Sequence, residues 1–376
     1  MPERMAKLMP APVAPPIAPM LARLARELPE GDYLYEPKWD GFRCLAFRDG
    51  DEVDLRSRHD RPLARYFPEI VDAVRRLPES RIVLDGELIL VRRSGFDFAA
   101  LMSRLHPARS RVERLRHEQP ATYVAFDLLG DGGEDLRDRP FAERRARLVA
   151  LLDHDGAADE STGDGPLAGS SHLRLTPATS DLSAAREWLD RFDGAGIDGI
   201  VAKRLDLRYE AGRRAMVKVK RERTADCVVA GFRPIAGARA VSSLLLGLYD
   251  QHADLRHVGV VTALPATERA RLFEALMPRA IPLEEHPWRN GFLSSASPLG
   301  RLRGSAARWT PAMEHDWVPL RPELVVEVAF DQVDLDRMRH PARFRRWRPD
   351  REAGSCTIDQ ILADPPQLDG LLAQAS

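Results

Sequence analysis

Glu36-Pro37-Lys38-Trp39-Asp40-Gly41-Phe42-Arg43 is the stretch on which this chain turns. Residues 33–36 have the aromatic and aliphatic make-up of a strand, and 42–48 read as the next one. Asp40-Gly41 between them predicts a tight bend, which places Lys38 in the turn after the first strand. Lysine is scarce here: of 56 cationic side chains, only Lys7, Lys38, Lys203, Lys218 and Lys220 are not arginine. Arginine stays protonated, whereas a lysine amine can shed its proton and attack an electrophile. Lys38 is therefore the first candidate nucleophile. Arg43 is a candidate grip for a phosphate or ribose, and Asp40 for positioning the amine or a metal-bound water. By itself the pattern also fits a surface lysine before an ordinary turn, so Lys38 needs company.

Further segments supply it. Arg56-Ser57-Arg58-His59-Asp60 offers another cation after the third strand. Leu84-Asp85-Gly86-Glu87-Leu88 sets Glu87 in an aliphatic strand, where a buried carboxylate needs a ribose hydroxyl, a cation or a metal. Val124-Ala125-Phe126-Asp127-Leu128 holds an aromatic ring that is core by default and stacks on a purine if exposed. Gly196-Ile197-Asp198-Gly199-Ile200-Val201-Ala202-Lys203 repeats the carboxylate–glycine–strand device. In Met216-Val217-Lys218-Val219-Lys220 the alternation points both lysines to one face. Two like charges there are costly unless an anion such as a triphosphate lies between them. A nucleophilic lysine, carboxylates for a divalent cation, cations for phosphates and a ring for a base together fit nucleotidyl transfer. Catalysis in that chemistry is mainly positioning and charge neutralisation.

The whole chain sets the bounds. Its 376 residues suffice for two or three domains, and 44% hydrophobic with 30% charged residues reads as soluble and globular. No run of 18 apolar residues predicts a membrane span, and the proline-rich start lacks the apolar core of a signal peptide. Cys44, Cys227 and Cys356 are too scattered for a disulfide framework or a zinc site, which fits a reducing cytoplasm. A net charge of −1 excludes a uniformly basic coat. Nine Lys/Arg nevertheless fall in 203–223 and seven arginines in 337–351. Such stripes suit polyanion contact on one face, or else are solvated faces of an arginine-biased chain.

Along the chain, 20–28 reads as a short amphipathic segment. Strands are expected at 53–57, 82–91, 122–129, 199–204 and 215–219, with helices at 67–77, 141–152 and 182–192. Residues 156–171, rich in Gly, Ala, Ser and Asp, read as a mobile loop. Beyond a boundary near 221–225, short strands at 227–232, 244–249, 256–261 and 324–330 with a helix at 267–277 suggest a small oligonucleotide-binding barrel. A helical turn is expected at 358–362 in the tail.

In this order the quoted segments resemble the motifs of the covalent nucleotidyltransferases. More closely, residues 18–351 look like a bacterial ATP-dependent DNA ligase of the stand-alone ligase C type, similar to the ligase domain of ligase D. The resemblance implies an α+β fold. An adenylyltransferase (nucleotidyltransferase) domain with ATP-grasp-like antiparallel sheets and helices would span 1–222, an OB-fold β-barrel 223–352 and a tail 353–376. It implies that Lys38 attacks the α-phosphate of ATP to give lysyl-AMP, with Lys218 and Lys220 neutralising the phosphate. Glu36 would read the adenine amino group and Phe126 would stack on the ring. Arg43, Arg58 and Glu87 would hold ribose and phosphate. Glu87 and Asp198, with Asp40 through water, would serve magnesium or manganese. Arg348 and Arg351 would orient the pyrophosphate.

The implied partner is nicked duplex DNA, with DNA repair proteins beside it, for a cytoplasmic monomer in DNA repair or recombination. Two positions depart from the family pattern: Asp350-Arg351 where Asp-Lys is usual, and Asp198 where Glu is usual. Asp198 is one methylene shorter, which suits metal contact through water. Lys203 has no role in this scheme. The alternatives are an RNA ligase or a GTP-using capping-type enzyme, and more distantly a non-catalytic nucleic-acid-binding module that binds DNA salt-sensitively without forming an adduct.

Overall fold

The computed structural model describes residues 13–92, 95–153, 172–191, 197–290, 317–334 and 336–362. Up to Arg221 the strands are β1 (Ala22–Ala25), β2 (Tyr33–Trp39), β3 (Phe42–Asp49), β4 (Glu52–Ser57), β5 (Arg81–Ile89), β6 (Val91–Arg92), β7 (Gly95–Phe96), β8 (Thr122–Asp131), β9 (Glu134–Asp135), β10 (Leu173–Leu175), β11 (Ile197–Arg204) and β12 (Met216–Val219). Helices α1 (Pro68–Arg76), α2 (Phe98–Ser103), α3 (Arg109–Glu118), α4 (Phe141–Asp153) and α5 (Leu182–Arg191) are interspersed.

Two main sheets result, one of six strands in the order β10-β8-β5-β3-β4 with β9 also on β8, and one of four in the order β1-β12-β11-β2, while β6 and β7 pair separately. Period-two alternation gives each strand two faces. Along β3, Cys44 and Ala46 pack with Ile70 and Val74 of α1, while Leu45 and Phe47 pack with Tyr209 and Met216 from beside and within the second sheet. The six-strand sheet is thus covered by helices on one side and by the four-strand sheet on the opposite side.

The chain passes from one sheet to the other at Asp40-Gly41, and here the structure departs from the expected turn. β2 continues through Pro37-Lys38-Trp39 instead of stopping at Glu36. Pro37 is tolerated because β2 lies at the end of its sheet, opposite a bulge between Ile197 and Ile200 of β11. Gly199 in that bulge has φ +136°, and a Cβ on it would come 2.1 Å from the Val219 carbonyl oxygen. Gly41 is needed for a close approach, since its Cβ would lie 2.0 Å from the Leu88 carbonyl oxygen. The amphipathic segment at 20–28 is also different: Ala22–Ala25 adds to β12 as a parallel strand, its backbone pairing overriding the side-chain pattern.

Sequence periodicity missed α2 and α3. The first is short and starts where the Asp97 carboxylate accepts the Ala100 N–H at 2.7 Å. The second is arginine-rich and buries only Val112 and Leu115, too thin a stripe to stand out. The loop expected at 156–171 and the end of the helix expected at Phe192 lie outside the described residues.

From Glu222 a second compact unit begins. Its strands are β13 (Arg223–Pro234), β14 (Val241–Tyr249), β15 (Leu255–Val261), β16 (Val318–Pro319), β17 (Val325–Phe330), β18 (Val333–Asp334), β19 (Arg337–Met338) and β20 (Arg343–Trp347), with helix α6 (Ala266–Leu276) after β15. The main sheet runs β15-β14-β13-β17-β20. Its two ends meet where Val261 bridges Ala342 and the Ala342 N–H reaches the Val260 carbonyl at 2.8 Å. Five antiparallel strands closed in this order, with a helix between the third and fourth, make an OB-fold barrel. Val228, Phe232, Leu246, Val258 and Val326 fill its core. In the tail, where a helical turn was expected at 358–362, a 3-10 turn spans Ile358–Gln360. The Gln360 amide bonds both backbone groups of Asp226 at 2.9 and 3.1 Å, which ties the tail to β13.

Candidate active site

In β2, Glu36 and Lys38 alternate with Tyr35, Pro37 and Trp39, so the two sets point to opposite sides of the sheet. Cross-strand partners share a face: Val201 stands opposite Glu36, and Lys218 opposite Val201. Glu36, Lys38, Lys203 and Lys218 therefore belong to one face. Tyr35, Ile200, Ala202, Val217 and Val219 form the other and pack with Ala185 and Trp188 of α5. The apolar side anchors the sheet, and the charged side gathers three of the five lysines.

Glu36 is 2% exposed. Lys203 Nζ donates to its Oε2 at 2.7 Å and to the Phe126 carbonyl at 2.9 Å, and lies 4.7 Å from both the Phe126 and Phe141 rings. Burial draws the Lys203 pKa down, with Glu36 and Asp127 opposing. This supplies the role that the sequence did not: Lys203 ties Glu36 to Phe126. Arg145 of α4 is the other cation beside Glu36, with its Nη1 3.6 Å from Oε1, and nothing in the sequence pointed to it.

Arg43 is not an open hand. Its Nε and Nη2 each donate to Asp85 at 2.6 Å, and Nη2 also reaches the Met20 carbonyl at 3.3 Å. Asp85 further accepts the Tyr209 hydroxyl at 2.6 Å, and that hydroxyl accepts the Met20 N–H at 3.0 Å. A closed ring of four residues holds the guanidinium 4.5 Å from the Phe126 ring. Phe126 is 8% exposed, with Arg43 and Lys203 against it, so it is far from a bare stacking platform. Tyr209 carried no signal in the sequence.

Glu87 is partly buried, and its Oε1 accepts the Gly41 N–H at 3.1 Å. Burial pushes its carboxyl up to about 7, opposed by Arg43 and Lys38 and assisted by Asp40. Lys38, Asp40 and Arg43 thus all lie within electrostatic reach of Glu87. Asp40 and Glu87 repel, and a divalent cation between them would relieve that repulsion, so these residues fit a metal. Among the described residues no group of three or more His, Cys, Asp or Glu stands ready as a metal site. The side chain of Asp198 lies outside the described residues. Arg58 is exposed in the turn after β4.

Arg348 and Arg351 belong to the second unit. Arg348 Nη1 grips Asp226 at 2.9 and 3.0 Å and its Nη2 grips Asp350 at 2.9 Å, while Arg351 Nε lies 3.5 Å from Asp226. The hydrogen bonds from Arg348 hold the Asp350 carboxyl down at about 2.

Comparison with known proteins identifies the family. Residues 16–220 match the model of the ATP dependent DNA ligase domain, and 237–351 that of the ATP dependent DNA ligase C terminal region. The chain is 48% identical over 356 residues to DNA ligase C2 of Mycolicibacterium smegmatis, covering 94% of this chain and 96% of that protein. It is 47% identical to DNA ligase C of Mycobacterium tuberculosis, covering 93% and 95%. A solved structure named Pmar-Lig_Pre shares the fold with a TM-score of 0.52 at 15% identity, covering 88% of this chain and 68% of that one.

Proposed function

The chain belongs to the ATP-dependent DNA ligases, and from that premise we propose how its residues divide the work of sealing a nick. The Lys38 amine, neutral at the moment of reaction, attacks the α-phosphate of ATP. A nitrogen–phosphorus bond forms, the bond to pyrophosphate breaks, and the AMP stays on Lys38. Lys218, on the same sheet face, and Lys220 neutralise the charge that builds on the α-phosphate. Glu36 reads the base, with Phe126 as its apolar support, and Arg43, Arg58 and Glu87 hold ribose and phosphate.

Arg348 and Arg351 orient the pyrophosphate, for which Arg348 must exchange the Asp226 and Asp350 carboxylates for phosphate oxygens. Glu87, Asp40 and Asp198 would hold a magnesium or manganese ion, which supplies charge neutralisation at the phosphates. The AMP then passes to the 5′-phosphate of nicked duplex DNA, and the 3′-hydroxyl displaces it to close the strand. The protein works as a cytoplasmic monomer in DNA repair. Among the described residues no helix is long and apolar enough to cross a membrane.

The observation that carries this is the shared sheet face of Glu36, Lys38 and Lys218, with Glu87 within electrostatic reach of the Lys38 amine. The test is sealing of a duplex with one 5′-phosphorylated nick in ATP and magnesium. Closed DNA with ATP, and none with GTP or with Lys38→Ala, is expected. Sealing by Lys38→Ala, or a preference for a nicked RNA duplex over DNA, would sink the scheme.

A further inference from the structure

Among the described buried polar atoms of the first unit that lack a hydrogen-bond partner, two face each other. They are Glu36 Oε1 and Arg145 Nη1. At 3.6 Å they are too far apart for a hydrogen bond and close enough to attract as charges. Each has its other side satisfied. Glu36 Oε2 takes Lys203 at 2.7 Å, and Arg145 Nη2 donates to the Thr176 carbonyl at 2.6 Å. Thr176 is itself fully buried and fixed: its Oγ1 accepts the Trp39 indole N–H at 2.9 Å and its N–H reaches the Ala125 carbonyl at 2.9 Å. The carboxylate and the guanidinium are therefore held from behind, and one acceptor and one donor are left side by side. Buried polar atoms rarely stay unpaired, so a ligand edge with the complementary pair is the natural occupant.

Adenine has that edge. Its exocyclic N6 donates and the adjacent ring N1 accepts. Guanine carries the reverse pair at the same positions, an O6 acceptor beside an N1–H donor. We propose that Arg145 is a specificity-determining residue of this ligase, donating to adenine N1 while Glu36 accepts from N6, so that the pair admits ATP and rejects GTP. This rests on the function proposed above and adds to it a residue that carried no sequence signal.

The strength of the discrimination follows from the reversed polarity. A guanine edge would set its O6 against the Glu36 carboxylate and its N1–H against the Arg145 guanidinium, leaving all four groups unpaired. Sites built on buried hydrogen-bonding groups reject a mismatched partner far more strongly than apolar pockets do. Burial lowers the Arg145 pKa, but an arginine so placed remains a cation and a donor only. The spacing suits parallel hydrogen bonds to two neighbouring atoms of one ring edge.

The experiment follows formation of the covalent nucleotide adduct on the full chain, with kcat/KM measured for ATP, GTP and 1-deaza-ATP, which lacks the N1 acceptor. The wild type should use 1-deaza-ATP at least ~10-fold less well than ATP, mainly through KM. Arg145→Met should lose a similar factor with ATP, lose little further with 1-deaza-ATP, and show an ATP/GTP ratio at least ~10-fold below wild type. Equal use of ATP and 1-deaza-ATP by the wild type would overturn the proposal without any mutant, so a folding defect cannot shelter it. An unchanged ATP/GTP ratio in Arg145→Met would overturn it too. Failure of the wild type to form any adduct would instead overturn the parent function.

Discussion

Arg144 and Arg145 are consecutive on α4, and both reach a buried carboxylate, yet one pair is closed and the other is not. Arg144 spends every nitrogen: Nε and Nη2 on Asp127 at 2.7 and 2.9 Å, and Nη1 on the carbonyls of Arg139 and Leu207. Asp127 also accepts the Leu128 N–H at 3.0 Å. Arg145 and Glu36 leave one donor and one acceptor unspent. Charge and burial alone therefore do not mark a site. On this helix the closed pair holds the fold, and the pair with spare hydrogen-bonding capacity is the one assigned to the ligand.

The closed pair should be the costlier to break. Arg144→Met leaves the Asp127 carboxylate buried and alone, and a loss of about 3–5 kcal/mol is expected in urea unfolding. A loss under 1 kcal/mol would remove the distinction between the two arginines.

Glu87 sharpens it by pH. Its folded pKa of about 7 lies above the ordinary 4.5, so the folded state holds a proton that the unfolded state has released. Stability from this group is complete below pH 4.5, falls as pH rises from 4.5 to 7, and is level above that. Glu87→Gln removes the effect. Its stability relative to wild type should rise by up to about 3 kcal/mol between pH 4.5 and 8, read from urea midpoints across that range. A flat difference would mean that Glu87 ionises normally and is not crowded by Asp40 and burial.

Arg145→Met should cost only about 1 kcal/mol, the worth of its hydrogen bond to Thr176, because Lys203 still holds Glu36. A cost matching that of Arg144→Met would place Arg145 among the structural residues. The exposed pair Arg204–Asp206 bounds the scale from below: Arg204→Ala should change stability by no more than about 0.5 kcal/mol.

Much of this was legible in the chain. Alternation along Met216-Val217-Lys218-Val219-Lys220 gave one charged face because the opposite face had to be apolar to pack on α5. Alternation and spacing likewise revealed four of the five main barrel strands, while β20 carried no expectation. What stayed hidden were partners distant in sequence. Tyr209 reaches Asp85 across 124 residues and Arg145 reaches Glu36 from a helix that reads as ordinary amphipathic surface. Pairings of that kind depend on which strands become neighbours, and no local pattern encodes that. The extension of β2 through Pro37 was hidden for a related reason, since it depends on the bulge opposite in β11. Lys203 could be found by its rarity among arginines, but its work needed the position of Glu36.

The central claim is that Lys38 takes the nucleotide, and mapping the adduct tests it most directly. Purified protein is incubated with ATP and magnesium, digested, and its peptides are weighed by mass spectrometry before and after mild acid, which cleaves a phosphoramidate. A single AMP mass increment is expected on the peptide containing Lys38, acid-labile and absent from Lys38→Ala. An adduct on Lys203, Lys218 or Lys220, or none on the wild type, would contradict the account.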